Sequence, residues 1–178
     1  MTSGRTVVIA FGVALAIFFL THFAPIPGSL NDLMSVNGGH AILDQQPVFS
    51  SQAVYGRLDA FGTDGRTLYR RFLLTTDIVF PLGLLAFLFL FARFTAETFA
   101  GWDVLRTLLP LVPVIWFAFD MMENLSIVAL LAAYPAQNDF IASNLGLITL
   151  AKRYALVASI LAPAALLIYT IGKRHFLR

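Results

Sequence analysis

The sequence predicts an all-α membrane protein: a four-transmembrane-helix bundle with a capping loop or helix between spans 1 and 2. The 178-residue chain is 58% hydrophobic and only 12% charged, whereas soluble domains carry roughly 25% charged residues. Four apolar runs are each long enough to cross a bilayer, which takes about 20 helical residues. Because this length suits one domain, residues 1–178 are predicted to form a single membrane domain.

The composition also excludes several classes of function. The chain has no Cys, so disulfides, thiolate catalysis and Cys-ligated metal sites are excluded. A net charge of +2 is too small to indicate a nucleic-acid partner. No metal-ligand spacing such as His-x-x-x-His occurs, so no metal site is predicted, and the sequence identifies no cofactor. Membrane lipids are the partners that this composition favours.

The first two spans are predicted at residues 7–24 and 72–91. A cleaved signal peptide is the alternative for the first run. A retained span is favoured because the run is long and lacks a small-residue cleavage site before Pro25. The helix of the second span is expected to begin earlier than its apolar part, with Asp64 as its N-cap.

The third and fourth spans are bounded by residues that stop helices. The third covers about 111–134, with Pro110 in its first turn, where proline is tolerated, and Pro135 after its end. The fourth covers about 147–171 and is followed by Gly172 and a basic tail.

The segment 25–71 is predicted to cap one mouth of the bundle. It is polar, rich in Gly and Ser, and longer than a connector requires. Residues 51–61 are typical of an amphipathic helix that lies across the outer mouth and gates it. Its apolar stripe consists of Val54, Leu58 and Phe61. The stretch 31–46 is expected to be irregular.

Basic residues set the expected orientation. Lysine and arginine are divided equally between the two sides of the membrane. Arg5 precedes the first span, however, and the next lysine or arginine in the chain is Arg57. Because the first span usually decides the orientation, both termini are expected in the cytoplasm, in a bacterial inner membrane. Trp102, in the short loop before the third span, is expected to be an interface anchor.

The strongest functional signal is a polar face inside the third span. Asp120, Glu123 and Asn124 follow the spacing i, i+3 and i+4, which places them on one side of a helix. An ionisable group at the centre of a bilayer costs about 2.5–3.5 kcal/mol on insertion scales, so such groups usually face a protein interior. We therefore expect these three side chains to face the interior of the bundle.

Depth in the membrane predicts the partners of this face. At a rise of 1.5 Å per residue, Asp77 in the second span and Lys152, Arg153 and Tyr154 in the fourth lie near its level. For Asp77, an ion pair with Arg70 or Arg71 is as well supported as a role in this site. The predicted binding site or buried polar cluster consists of Asp77, Asp120, Glu123, Asn124, Lys152, Arg153, Tyr154 and Trp116.

A pattern of separated residues runs through this region. Tyr55 is followed by Asp77, by Phe80-Pro81, by the Asp-x-x-Glu-Asn group of the third span, and by Lys152. This order resembles a pattern in small, mostly uncharacterised bacterial four-span membrane proteins, over about residues 55–159. The resemblance implies a four-helix bundle in which these polar positions belong together, and it implies no activity.

Three functions remain open. The favoured one is binding of a lipidic or amphipathic small molecule in a pocket floored by the polar face, with Asp77 and Lys152 as polar wall and Trp116 and Tyr154 among the apolar walls. The first alternative is an accessory subunit of a larger membrane complex, in which the cluster is a structural ion-pair network. The second is a membrane-embedded, lipid-modifying enzyme that uses paired carboxylates. Whether the chain is an enzyme stays open.

Overall fold

Every regular element in the described part of the chain is an α-helix, as the sequence predicts. The computed structural model describes residues 2–36, 39–99 and 103–176. In chain order its helices are α1 Gly4–His22, α2 Leu30–Val36, α3 Ser51–Ala60, α4 Gly62–Leu74, α5 Thr76–Thr98, α6 Asp103–Leu108, α7 Leu111–Ala133 and α8 Asp139–Phe176. Trp102, the predicted interface anchor, lies outside these residues.

Four helical stretches are long and apolar enough to cross a membrane, which supports an integral membrane protein. They are Gly4–His22, Gly62–Thr98, Asp103–Ala133 and Asp139–Lys173. The helix of the fourth stretch begins well before the predicted apolar span. Its start is capped by Asn138, whose Oδ1 accepts a hydrogen bond from the backbone amide of Ile141 at 3.1 Å.

The second stretch consists of two helices, α4 and α5, that join at Thr75. The backbone of Thr75 has φ −128° and ψ −84°, which interrupts the helix. The hydroxyl of Thr76 donates to the carbonyl of Gly28, and this bond ties the joint to the segment before α4. The prediction that Asp64 is the N-cap was wrong, because α4 begins at Gly62 and Asp64 lies within its first turn.

The largest hydrophobic core lies where the segment before α4 meets α4, α7 and α8. Its buried residues are Leu33, Ile42, Leu43, Val48, Val54, Tyr55, Leu58, Phe61, Tyr69, Phe72, Leu73, Ile127, Leu130, Leu131, Ala142 and Leu145. The predicted stripe of α3 is part of this core, because an apolar stripe gains free energy only when it is covered. That the segment closes a mouth of the bundle stays a prediction.

Two hydrogen bonds fix α3 to the connection between α7 and α8. The backbone amide of Asn138 donates to the hydroxyl of Tyr55 at 2.6 Å, and the hydroxyl of Tyr134 donates to the carboxylate of Asp59. The stretch before α3 is less regular, but the prediction that it lacks helix was wrong. The short helix α2 forms there, and its Leu33 is buried in the core.

Helix α1 packs along α5 and leaves its other side uncovered. A Cβ atom on Gly83 of α5 would lie 2.8 Å from Cδ1 of Ile17, so glycine permits this close approach. The uncovered side exposes large apolar side chains that include Val8, Phe19 and Leu20. A continuous apolar surface of this kind suits contact with lipid.

Candidate functional site

Glu123 lies at the centre of a buried hydrogen-bonded network between α7 and α8. Its side chain is 0% exposed and accepts hydrogen bonds from the hydroxyl of Thr149 and from Nζ of Lys152. Nζ of Lys152 also lies 3.4 Å from Oδ1 of Asp120. A buried carboxylate is costly unless it is paired and hydrogen-bonded, and this one is both. We call Glu123, Thr149 and Lys152 the closed side of the cluster.

The other side of the same helix face carries polar atoms without partners. Asn124 is 4% exposed, and neither Oδ1 nor Nδ2 of its side chain has a hydrogen-bond partner among residues 2–36, 39–99 and 103–176. Asp120 is 6% exposed, and its Oδ2 also has no hydrogen-bond partner among these residues. Leaving a buried polar group unsatisfied costs about 1–3 kcal/mol. Within the described part of the chain, this side of the cluster therefore has a desolvation cost that no hydrogen bond offsets.

Two further carboxylates lie near these unpartnered atoms. Asp77, in the first turn of α5, is half-buried beside Asn124 and Asp120, although no hydrogen bond of ordinary geometry joins it to the amide. Asp44, in the loop before α3, is within electrostatic reach of the other charged groups of the cluster. Its Oδ1 accepts a hydrogen bond of 2.8 Å from the hydroxyl of Tyr69. We call Asp77, Asn124 and Oδ2 of Asp120 the open side.

Negative charge exceeds positive charge in this cluster. The carboxyl groups of Asp44, Asp77, Asp120 and Glu123 surround one ammonium group, that of Lys152. Within the described part of the chain, Lys152 forms ion pairs with Asp120 and Glu123, and none joins it to the other two acids. Like charges repel strongly where the dielectric constant is low. The excess therefore has to be balanced by protons or by a bound cationic group.

Two of the predicted site residues do not join the cluster. Tyr154 is 72% exposed, and Arg153 is exposed and donates to the backbone carbonyl of Gln45. A helix turns by about 100° per residue, so an inward Lys152 turns the next two side chains away from the interior. The prediction that Tyr154 forms an apolar wall was therefore wrong. Trp116, by contrast, is buried on the stripe of Asp120.

The proposed pairing of Asp77 with Arg70 or Arg71 is also not formed. No ion pair to Asp77 occurs among the residues that the structure describes, and both arginines are exposed. Asp77 points instead to the side of α5 that faces Asn124 on α7.

The sequence analysis missed two residues of the cluster for different reasons. Thr149 precedes Lys152 by three positions and so shares its helix face, a signal that the helical period contains. Asp44 lies in a stretch without helical periodicity, where no pattern in the sequence indicates which way a side chain points.

An apolar groove between α1 and α5 begins one helical turn from Asp77. It has a volume of about 180 Å³ and is lined by Phe11, Ala14, Leu15, Phe18, Phe80, Leu84 and Phe87. The ring of Phe80 packs on Phe18 and on His22, with centroid distances of 5.3 and 5.0 Å. Since Phe80 follows Asp77 by three residues, the carboxyl group and the groove lie on neighbouring parts of one helix face.

Comparisons with known proteins do not identify the chain. No family model matches it, no curated protein matches it, and no solved structure matches it.

Proposed function

We propose that this integral membrane protein binds a lipidic or amphipathic small molecule at the open side of the polar cluster. The unpartnered side chain of Asn124, together with Oδ2 of Asp120, is the observation that carries this proposal. Buried polar groups in proteins nearly always have hydrogen-bond partners, as Glu123 does here. A ligand head that donates hydrogen bonds would supply partners for the two unpartnered oxygens, Oδ1 of Asn124 and Oδ2 of Asp120.

The groove between α1 and α5 supports an elongated ligand with an apolar tail. Its lining is apolar and largely aromatic, and its end near Phe80 lies one turn from Asp77. Sites for small molecules commonly combine apolar walls with a few convergent polar groups. The tail would lie along the phenylalanines while the polar head reaches Asp77 and Asn124. The excess of carboxyl groups favours a cationic head over an anionic one.

The remaining parts of the proposal concern the membrane setting. We place the cluster within a bacterial inner membrane, with both termini in the cytoplasm and with α3 as a gate over the outer mouth. The basic residue before α1 supports this orientation. The buried stripe of α3 supports its role as a gate, because a helix packed in this way has to move before a ligand can pass. The resemblance to small bacterial four-span proteins supports a shared role for these polar positions.

A series of amphiphiles with one tail and three different heads tests the proposal. Dodecylamine, dodecanol and dodecanoic acid would be titrated into the full-length protein in a neutral detergent. Binding would be followed by the fluorescence of Trp116 after Trp102→Phe removes the other tryptophan. We expect affinity to fall in the order amine, alcohol, acid. Asn124→Leu should weaken the binding of dodecylamine by at least about tenfold, since a hydrogen bond to a charged group contributes about 1.5–3 kcal/mol.

The control for this experiment is Thr149→Val, on the closed side. That variant removes a hydrogen bond to Glu123 and should leave the order of affinities unchanged. Equal binding by wild type and Asn124→Leu would contradict the proposal. If none of the three amphiphiles binds and both variants change only stability, the cluster is structural, and the accessory-subunit function takes its place.

A further inference from the structure

A second groove, separate from the polar cluster, lies between α4 and α7. It has a volume of about 270 Å³ and is lined by Thr63, Arg66, Thr67, Arg70, Leu131 and Tyr134. The four residues from α4 follow the spacing i, i+3, i+4 and i+7 and so share one helix face. Leu131 and Tyr134, from the end of α7, form the opposite wall.

The two guanidinium groups of this groove have no carboxylate partner in the described part of the chain. Arg66 is fixed in place by a 3.0 Å hydrogen bond to the carbonyl of Leu58 and by its position 4.0 Å above the ring of Tyr134. Arg70 is exposed. The hydrogen bond from Tyr134 to Asp59 raises the pKa of the phenol, so that hydroxyl stays protonated at neutral pH. The groove therefore holds positive charge that is available to a ligand.

A groove at the opposite end of the molecule offers an internal comparison. It has a volume of about 280 Å³ and also contains two arginines, Arg93 and Arg106. There, Arg93 pairs with Glu97 at 3.0 Å and Arg106 pairs with Asp103 at 3.1 Å. Each cation already has an acid beside it. Of these two grooves, only the one between α4 and α7 leaves its arginines unpaired.

The groove between α4 and α7 lies where two candidate membrane spans end. Its arginines belong to the first turns of the Gly62–Thr98 stretch, and Leu131 lies near the end of the Asp103–Ala133 stretch. The ends of spans lie at the level of lipid headgroups, where tyrosine is enriched and arginine is attracted to anionic headgroups. The position of the groove therefore matches the depth of a phospholipid phosphate.

We propose that the groove between α4 and α7 binds the phosphate group of an anionic phospholipid. Arg66 and Arg70 donate to the phosphate oxygens. The guanidinium group suits this contact because it is planar and can donate two parallel hydrogen bonds to one phosphate. The hydroxyl of Thr63, on the same face of α4, contacts the glycerol part of the lipid. Leu131 contacts the first methylene groups of an acyl chain. A soluble phosphate ester shares the first of these contacts but has no chain to place against Leu131.

Native mass spectrometry of the full-length protein tests this site. Dioleoylphosphatidylglycerol and dioleoylphosphatidylcholine would be added in turn to protein in a neutral detergent, and the retained adducts measured. The wild-type protein should retain more phosphatidylglycerol than phosphatidylcholine. Arg70→Gln should reduce that retention by about fivefold, which corresponds to about 1 kcal/mol for one basic residue at an anionic membrane surface. Arg70 suits this test because it is exposed, so its replacement leaves no buried group unsatisfied.

Arg71→Gln is the matched control, since Arg71 has the same charge and is exposed but is not part of the groove lining. It should retain the lipid as wild type does. Equal retention in Arg70→Gln and wild type, or equal losses in the two variants, would overturn the proposal. Displacement of phosphatidylglycerol by millimolar inorganic phosphate, in wild type but not in Arg70→Gln, would assign the groove to a soluble phosphate and overturn the lipid assignment.

Discussion

Glu123 and Asn124 are neighbours in the sequence and both are buried, but their side chains have opposite surroundings. Glu123 faces α8 and accepts hydrogen bonds from Thr149 and Lys152. Asn124, about 100° further around the helix, faces Asp77 on α5 and has no hydrogen-bond partner in the parts of the chain that are described. One polar face of α7 thus holds two helices together on one side and, on the other, carries buried polar atoms that have no partner among the described residues.

The largest effect should follow from breaking the closed side at Glu123. Glu123→Ala leaves the ammonium of Lys152 without its main partner, and removal of one member of a buried pair costs about 3–5 kcal/mol. The double variant Glu123→Leu with Lys152→Met should lose less, because it leaves neither charge unpaired. Unfolding in detergent, followed by circular dichroism, measures both. Equal losses in the single and double variants would show that the pair is not effectively buried.

Thr149→Val should have the next largest effect. It keeps the side-chain shape but removes a hydrogen bond to a buried carboxylate, which contributes about 1.5–3 kcal/mol. Ser126→Ala on α7 is the control, because the Ser126 hydroxyl donates only to the carbonyl of Met122 on the exposed side of its own helix. That control should change stability by less than about 0.5 kcal/mol. Similar losses in the two variants would contradict a special role for the closed side.

Asn124→Leu should change stability in the opposite direction. Replacing an unpartnered buried amide by an apolar group of similar size removes its desolvation penalty, so the free energy of unfolding should rise by about 1 kcal/mol. The same denaturation experiment in the absence of any amphiphile measures it. A loss larger than about 1 kcal/mol would mean that Asn124 has a partner within the protein.

The smallest effect concerns access to the open side through α3. Since the chain has no Cys, Leu58→Cys and Ala53→Cys each introduce one thiol. Leu58 is buried in the core and Ala53 is exposed on the same helix. A membrane-impermeant maleimide should label position 58 at least about tenfold more slowly, because it reacts only after local opening. Equal labelling rates, unaffected by dodecylamine, would exclude α3 as a gate.

Helical spacing was sufficient to predict the polar face and one of its partners. The i, i+3, i+4 pattern of Asp120, Glu123 and Asn124 places them on one side of a helix whatever the rest of the molecule does. Depth along antiparallel helices then brought Lys152 to the same level. Depth alone could not distinguish Lys152 from Arg153 and Tyr154, because it contains no information about rotation around the axis of α8.

The rest depends on contacts between distant parts of the chain. The joint at Thr75 is bound to Gly28 through the neighbouring threonine, and no local signal in α4 or α5 indicates that bond. Asp44 reaches the cluster because its loop packs on Tyr69. The unpartnered state of Asn124 is likewise a property of the assembled helices, since a sequence does not show which buried atoms remain without partners.

The largest core also determines when the chain can become native during its synthesis. The residues of this core extend from Leu33 to Leu145, so α3 lacks part of its packing surface until the first turns of α8 have been made. At about 5–20 residues per second, that interval is on the order of ten seconds. A chain truncated before Leu145 would leave this core incomplete for its whole lifetime, so proteases that degrade unfolded protein would gain access to α3 as well as to the new end of the chain.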